Sequence, residues 1–168
     1  MKLELVTHPN EWLTKKLDPW NWENPPVEDP AQLKKDMLEL MFASEGIGLS
    51  ANQVGINARC FVMVHNQSNY QAQREQLMIN PEVVETKGVE VECWEGCLSF
   101  PGINVQVKRP SEIIAKWTDE KQIEHQHKFV GYDAVCFQHE LDHLNGITFN
   151  EHVSPMIWKE AVQLAEAK

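Results

Sequence analysis

The sequence lacks any run of about 20 apolar residues, the length that an α-helix needs to cross a bilayer. Residues 1–10 also lack the continuous apolar stretch and the small-residue cleavage site of a signal peptide. We therefore expect a cytoplasmic protein that does not bind membranes. Cysteine is scarce, with 4 residues in 168 and no C-x-x-C pair. Without an export signal, each thiol is expected to be a small buried residue or a metal ligand, rather than half of a disulfide.

Basic residues are few as well. The chain has 15 Lys and Arg side chains against 25 Asp and Glu, which gives a formal net charge of −10. Because this charge repels a phosphate backbone, direct binding to nucleic acid is not expected. The remaining composition is that of a globular protein, with 42% hydrophobic and 24% charged residues. A chain of this length can bury about two-thirds of its unfolded surface in one core, so we predict a single catalytic domain over residues 1–168.

Local patterns predict a first helix followed by a strand-rich middle. Asp29 suits the N-cap, Pro30 the first helical position and Gln32 the reciprocal place of a capping box, while Gly46 is expected to end the helix. Strands are predicted where β-branched and aromatic residues cluster, with a hairpin turn at 118–121. The predicted strands are residues 59–65, 76–84, 89–94, 105–107, 112–117 and 122–130.

Two more helices are predicted after the strands. One runs from Asp133 to Asn145 and ends at Gly146, and a short C-terminal helix begins near Ser154. Helices that flank a block of short strands are typical of the α+β class. We therefore predict mainly antiparallel β-sheet around a central helix, with an N-terminal helix and a short C-terminal helix.

The strongest chemical signal is the segment His139-Glu140-Leu141-Asp142-His143. Residues four apart lie on one face of a helix, so both histidines can direct a ring nitrogen at one metal ion. Glu140 lies beside them, where a carboxylate can exchange protons with a water that the ion activates. A solvated helix with two histidines by chance is the alternative. The apolar residues 134–137 argue against it, because they indicate a partly buried helix in which imidazoles need partners.

A catalytic site usually has a third protein ligand, and the spacing leaves its identity open. The protease pattern H-E-x-x-H-x-x-G-x-x-H is incomplete, since its last position is Phe149. Cys136 lies about 10 Å along the helix from the second histidine, too far for bonds of about 2 Å, and is interpreted as a pocket or core residue. His125 and His127 are interpreted as the exposed polar face of a strand. Cys97 lies in a glycine-rich segment that can approach a ligand closely, although a buried structural thiol is the commoner interpretation.

Three segments together resemble the motifs of the peptide deformylase family, and they follow the family's order. They are Gly46-Ile47-Gly48-Leu49-Ser50-Ala51-Asn52-Gln53, Glu95-Gly96-Cys97-Leu98-Ser99 and Gln138-His139-Glu140-Leu141-Asp142-His143. One such segment is a weak signal, whereas three in order over residues 46–143 are a specific match. Ser50 stands where the family usually has alanine. The resemblance implies a metal-dependent hydrolase that removes the formyl group from the N-terminal methionine of newly made polypeptides and releases formate.

The resemblance also implies the metal ligands and the ion. By similarity, Cys97, His139 and His143 bind the metal. A thiolate beside two imidazoles suits Fe(II) or Zn(II). The family implies ferrous iron, with zinc, nickel or cobalt as substitutes.

Catalytic roles follow from the same resemblance. Glu140 would act first as general base and then as general acid. The Gln53 side-chain amide and the Leu98 backbone N–H would donate hydrogen bonds to the oxygen on which charge develops. A buried ion pair between Glu95 and Arg109 would steady the cysteine loop.

The resemblance implies that the substrate peptide pairs as an added strand, with Ile47 and Gly48 on one side and Gly96 on the other. Its methionine side chain would enter an apolar pocket that also involves His139. The further lining positions are Tyr132, Val135 and Cys136. Tyr132 is larger than the usual aliphatic residue, so a narrower pocket is expected. Bacterial members often contact the ribosome through a longer basic C-terminal helix, which makes transient ribosome contact a further implied interaction.

Two other functions fit part of the sequence. A small zinc metalloprotease would take its third ligand downstream, from Glu151, His152 or Glu160. A binding module would close a structural metal site with a fourth protein ligand and would leave no position for water. Replacement of Cys97 separates the protease from the deformylase, because only the deformylase needs that thiol.

Overall fold

The computed structural model of the chain describes residues 2–65 and 74–167. Within these residues, one antiparallel sheet has the strand order β1-β2-β3-β4-β5. The strands are β1 (Gly48–Ser50), β2 (Cys60–Val64), β3 (Glu75–Cys97), β4 (Phe100–Thr118) and β5 (Glu124–Val130). The α-helices are α1 (Pro30–Ala43), α2 (Gly131–Leu144) and α3 (Pro155–Glu166), and 3-10 helices cover Glu11–Thr14, Ala51–Val54 and Phe149–His152. The predicted α+β class is confirmed.

The predicted strands of the middle region are fewer and longer in the structure. Segments 76–84 and 89–94 belong to β3, and segments 105–107 and 112–117 belong to β4. The predicted gaps at residues 85–88 and 108–111 were wrong, because β3 and β4 continue through them. The register between β3 and β4 shifts at several points, including one between Lys87 and Glu90, and such bulges bend a ladder without ending it.

The N-terminal helix begins as predicted but ends differently. Asp29 accepts hydrogen bonds from the backbone N–H groups of Ala31 and Gln32, which confirms it as the N-cap. The predicted capping box is not formed. The Gln32 side chain instead donates to Asp36, one helical turn further along, at 2.8 Å. The helix ends at Ala43, and Glu45, not Gly46, adopts the left-handed conformation, with φ of 60°.

The interpretation of His125 and His127 as an exposed polar face was wrong, since both are half-buried. The His125 ring stacks on Trp117 with centroids 5.2 Å apart, and its Nε2 lies 2.7 Å from Asp119 Oδ2. The His127 ring packs edge-on against Phe129. His125 and His127 therefore lie on one face of β5, and aromatic residues of β4 and β5 partly cover that face.

The core positions α2 against the sheet. Phe137 of α2 packs against Phe61 of β2 and Phe129 of β5, with ring centroids 5.2 and 5.7 Å away. A second cluster, around Phe100, Phe149 and Trp158, packs the C-terminal segment against β4. These contacts bury one face of α2 and bring the end of β3 to its side. No helix in the described part of the chain is long and apolar enough to cross a membrane.

Candidate metal centre and active site

Three side chains from two elements converge beside α2. Cys97 ends β3, and its Sγ lies 3.3 Å from His143 Nε2. His139 Nε2 lies 3.2 Å from the same atom, and all three donor atoms are within 4.8 Å of one another. Ligand atoms around a tetrahedral ion with bonds of about 2.0 to 2.3 Å are separated by about 3.3 to 3.7 Å. The three residues therefore form a group that can hold a metal ion, and this donor set fits one with little movement.

A carboxylate fixes the direction in which His139 offers its lone pair. Glu95 Oε1 lies 2.8 Å from His139 Nδ1, so this ring nitrogen carries the proton and Nε2 faces the other ligands. Arg109 donates to both Glu95 oxygens, and the two side chains are only 4–5% exposed. Burial alone would raise the pKa of Glu95, but the hydrogen bonds from His139 and Arg109 and the guanidinium charge lower it to about 2. The expected buried ion pair is present.

The ion pair gives a prediction about stability. Replacement of Arg109 by Met should lower the free energy of unfolding by about 3–5 kcal/mol, because the Glu95 charge would stay buried without its partner. Urea unfolding of the metal-free proteins measures this difference. Lys116→Met is the control, since Lys116 makes an exposed ion pair with Glu82 and should change stability by less than about 1 kcal/mol. Equal effects of the two replacements would contradict the prediction.

Glu140 lies at the floor of a cavity beside the metal-binding group. Its side chain is buried, and Oε1 accepts no hydrogen bond from the described residues. Burial raises the pKa of Glu140 to about 7, and the positive charge of a bound ion would lower it again. The backbone of Gly48 passes so close that a Cβ there would lie 2.6 Å from Glu140 Oε2, so any larger residue would displace the carboxylate. A buried carboxyl group at this place is positioned to accept a proton and return it.

The Gln53 amide is held at both ends. Its Oε1 accepts from the backbone N–H and the hydroxyl of Ser50, at 3.0 and 3.2 Å. Its Nε2 donates to Ser99 Oγ at 3.0 Å and lies 3.7 Å from Cys97 Sγ. The departure from alanine at position 50 thus adds a second hydrogen bond that orients the amide. Sequence reasoning noted Ser50 only as a departure from the family's alanine and missed this contact.

The N-terminal segment is bonded to the same two loops. The Val6 backbone N–H donates to the Gln53 carbonyl at 2.7 Å, and the Ser99 hydroxyl donates to the Val6 carbonyl at 2.6 Å. The His8 backbone N–H donates to the Ser99 carbonyl at 2.8 Å. Residues 6–8 therefore connect the first motif to the second.

A cavity of about 560 Å³ opens onto the metal-binding group. The residues expected at the substrate site all line it, namely Ile47, Gly48, Gly96, Leu98, Tyr132, Val135 and Cys136. Burial raises the pKa of the Cys136 thiol well above its ordinary value, so this side chain is a neutral part of the wall. Tyr132 is 48% exposed and stands at the mouth of the cavity.

The cavity also contains residues that sequence reasoning missed. Trp94 is 60% exposed at its rim, and Ile103 and Asn104 of β4 also line the cavity. A signal was available for Trp94, because it directly precedes the Glu95-Gly96-Cys97 motif in the same strand. Ile103 and Asn104 were missed because the strand was predicted to begin only at residue 105.

The alternative ligands of a metalloprotease lie elsewhere. The Glu151 carboxylate caps the backbone N–H of Thr148, and His152 Nε2 lies 2.8 Å from Asp142 Oδ2. Glu160 lies on α3 and lines a separate shallow depression. Among the described residues, the group that could hold an ion has three members, and an open cavity lies beside it. This arrangement does not match a closed structural site with four protein ligands.

An H-E-x-x-H helix, a cysteine from an adjoining strand end and an open cavity define a mononuclear metallohydrolase. Comparison with known proteins specifies the family. The family model for polypeptide deformylase matches residues 2–157. The chain belongs to the peptide deformylase family, and removal of the formyl group from N-terminal formylmethionine is the reaction of this family and of this chain.

Individual relatives match nearly the whole length of this chain. A peptide deformylase of Wolbachia sp. subsp. Brugia malayi (strain TRS) is 36% identical over 172 residues, covering 98% of this chain and 94% of that protein. A peptide deformylase of Aquifex aeolicus is 34% identical over 164 residues with the same two coverages. The crystal structure of a peptide deformylase from Synechococcus elongatus in complex with actinonin is similar with a TM-score of 0.85. It is 33% identical, and the match covers 96% of this chain and 86% of that one.

Proposed function

We propose that this chain hydrolyses the formyl–nitrogen bond of N-formylmethionyl peptides with Glu140 as the proton carrier and Cys97, His139 and His143 as the metal ligands. The observation that carries the proposal is the position of Glu140. Its Oε1, which has no hydrogen-bond partner among residues 2–65 and 74–167, is buried at the cavity, next to three converging ligand atoms. Burial of a carboxylate oxygen without a hydrogen-bond partner costs free energy of folding. Such a group is therefore expected mainly where it interacts with a ligand or takes part in catalysis.

The metal proposed for this site is ferrous iron, with Zn(II), Ni(II) or Co(II) as substitutes. A mixed thiolate and imidazole set suits these borderline and soft ions better than Mg(II) or Ca(II), which prefer oxygen ligands. When bound, the ion would supply an activated water at neutral pH and polarise the formyl carbonyl. The hydrogen bond from His139 Nδ1 to Glu95 supports this role, because it raises the basicity of the ligand nitrogen.

The chain's own residues would handle the protons and the developing charge. Glu140 would take the proton of the attacking water and deliver it to the departing amine, so that formate and a free α-amine leave. The Gln53 amide N–H and the Leu98 backbone N–H would donate to the oxygen of the tetrahedral intermediate. The two hydrogen bonds from Ser50 support the role of Gln53, since an amide held in advance loses little entropy during the reaction.

The substrate backbone would add a strand at the edge of the sheet. β1 pairs only with β2 among the described strands, so its other edge is available for a peptide at Ile47 and Gly48, with Gly96 opposite. The methionine side chain would then enter the part of the cavity that Tyr132, Val135 and Cys136 line. Apolar lining with a few polar groups at one end is the usual composition of such a pocket.

Location and further partners are part of the proposal. We place the protein in the cytoplasm, where newly made polypeptides appear and the four free cysteines stay reduced. A transient contact with the ribosome is proposed, without a direct role for nucleic acid. α3 carries one lysine against two glutamates, so this helix would not dock through net positive charge. Residues 1–168 are proposed to act as one catalytic domain.

Formate release from a formyl-Met tripeptide tests the reaction. Protein purified without oxygen and loaded with Fe(II) should release one formate and expose one α-amine for each peptide consumed. An acetyl-Met tripeptide is the matched substrate control. Its additional methyl group occupies the space through which water attacks the carbonyl carbon, so it should be hydrolysed far more slowly. Absence of formate from a folded, metal-loaded sample would contradict the proposed function.

A further inference from the structure

We propose that His152 is a positioning residue of the metal centre, which acts on His139 through Asp142, Arg109 and Glu95. The inference rests on the proposed metal site and goes beyond the motif residues. His152 lies in the 3-10 helix Phe149–His152, outside all three motifs. Its ring does not line the cavity, so it does not touch the substrate.

An unbroken series of hydrogen bonds connects His152 to the metal-binding group. His152 Nε2 lies 2.8 Å from Asp142 Oδ2, and the same oxygen accepts from Arg109 Nη1 at 2.9 Å. The other nitrogens of this guanidinium donate to Glu95, whose Oε1 lies 2.8 Å from His139 Nδ1. Each group in the series is thus oriented by the one before it.

Asp142 occupies the critical place in this series because it belongs to α2 and stands next to His143. One oxygen atom of Asp142 joins the ligand helix to Arg109 of β4 and to His152 of the following 3-10 helix. The side chains become less exposed toward the metal, from 34% at His152 and 22% at Asp142 to 4–5% at Glu95 and Arg109. Hydrogen bonds strengthen as solvent is excluded, so a change at the outer end should reach the buried end.

The balance of charge explains why Asp142 needs His152. Glu95 and Asp142 share one guanidinium, so the buried group has two carboxylates for a single fixed cation. The His152 N–H gives Asp142 Oδ2 a second donor at 2.8 Å. Without it, the Asp142 carboxylate can turn toward water, and Arg109 loses the contact that fixes its third nitrogen. Glu95 and the His139 ring would then be held less firmly.

Removal of the His152 ring should leave the fold intact. The 3-10 helix is held by buried Phe149 and by the Glu151 carboxylate, which accepts from the Thr148 backbone N–H. Neither contact involves the imidazole. An effect of His152→Ala on the metal centre can therefore be separated from unfolding.

Metal release and the absorption spectrum of the Co(II)-loaded protein test the inference. His152→Ala should transfer Co(II) to a chelator about threefold to tenfold faster than the wild type and should shift the d–d bands. Its kcat should fall while KM stays within about twofold, since the cavity is unchanged. His152→Gln should restore most of the slow release, because its amide can still donate to Asp142.

His125→Ala is the matched control. His125 forms a histidine–aspartate contact of 2.7 Å with Asp119, but this pair has no connection to Arg109 in the described hydrogen bonds. It should release Co(II) at the wild-type rate with an unchanged spectrum. Equal release rates and spectra for wild type and His152→Ala would overturn the inference, as would an equal change in His125→Ala. Metal release does not depend on deformylation, so a failure of the proposed function would be recognised separately, by absent formate.

Discussion

Glu140→Gln should keep its metal and lose nearly all formate release. The amide matches the carboxylate in size but cannot accept a proton, so the water and the departing amine lose their proton carrier. General acid–base catalysis contributes about 10²- to 10⁴-fold, and kcat should fall by that factor. Formate production by the Fe(II)-loaded variant measures the loss, and metal analysis of the same sample measures retention.

Glu92→Gln is the control for this replacement. Glu92 is exposed on β3 and undergoes the same change of charge without contact to the cavity. It should retain the wild-type kcat. If Glu140→Gln kept more than about a tenth of the wild-type turnover, the role of Glu140 as proton carrier would have to be abandoned.

Cys97→Ala should abolish tight metal binding, with a dissociation constant raised by more than about 100-fold. Two imidazoles would remain, and they lack the charge of the thiolate and its third point of attachment. Equilibrium competition with a chelator, followed with Co(II), measures the change. Loss of the thiolate-to-cobalt absorption would identify the missing bond.

Cys93→Ala serves as the matched control for the thiol. Cys93 lies on the same strand, four residues earlier, and does not line the cavity. It should bind Co(II) as the wild type does. Wild-type affinity in Cys97→Ala would instead favour a ligand from the downstream segment, as a metalloprotease requires.

The helix that carries His139 and His143 was predictable because its signal is local. The spacing of His139 and His143 depends only on helical periodicity, and the buried face of α2 follows from the apolar residues that precede them. The third donor was not predictable from spacing, since Cys97 lies 42 positions before His139 and joins it only through the packing of the β3–β4 hairpin. Resemblance to the family supplied that residue, and its role as ligand stays a prediction that the Cys97 replacement tests.

Other features depended on tertiary contacts that no local pattern contains. Each long strand of the hairpin was predicted as two short ones. The two gaps contain Gly88 and Pro110, residue types that weaken a strand in isolation, whereas a bulge accommodates both within the ladder. The contact of Arg109 with Asp142 joins β4 to α2, and the contact with His152 adds a third element. The roles of Gln53, Leu98 and the substrate-pocket residues also stay predictions, although the structure brings all of these residues to one cavity.

The hydrogen bonds of residues 6–8 to Gln53 and Ser99 make the motif loops depend on a segment outside the motifs. A cleavage that detached residues 6–8 would leave every motif residue in the chain. It would nevertheless remove the acceptor of the Ser99 hydroxyl and the donor to the Gln53 carbonyl. Ser99 could then rotate and release the Gln53 amide nitrogen from its place near Cys97. Correct placement of residues 6–8 is therefore expected to be needed to hold Gln53 and Ser99 in position, although this segment contains no motif residue.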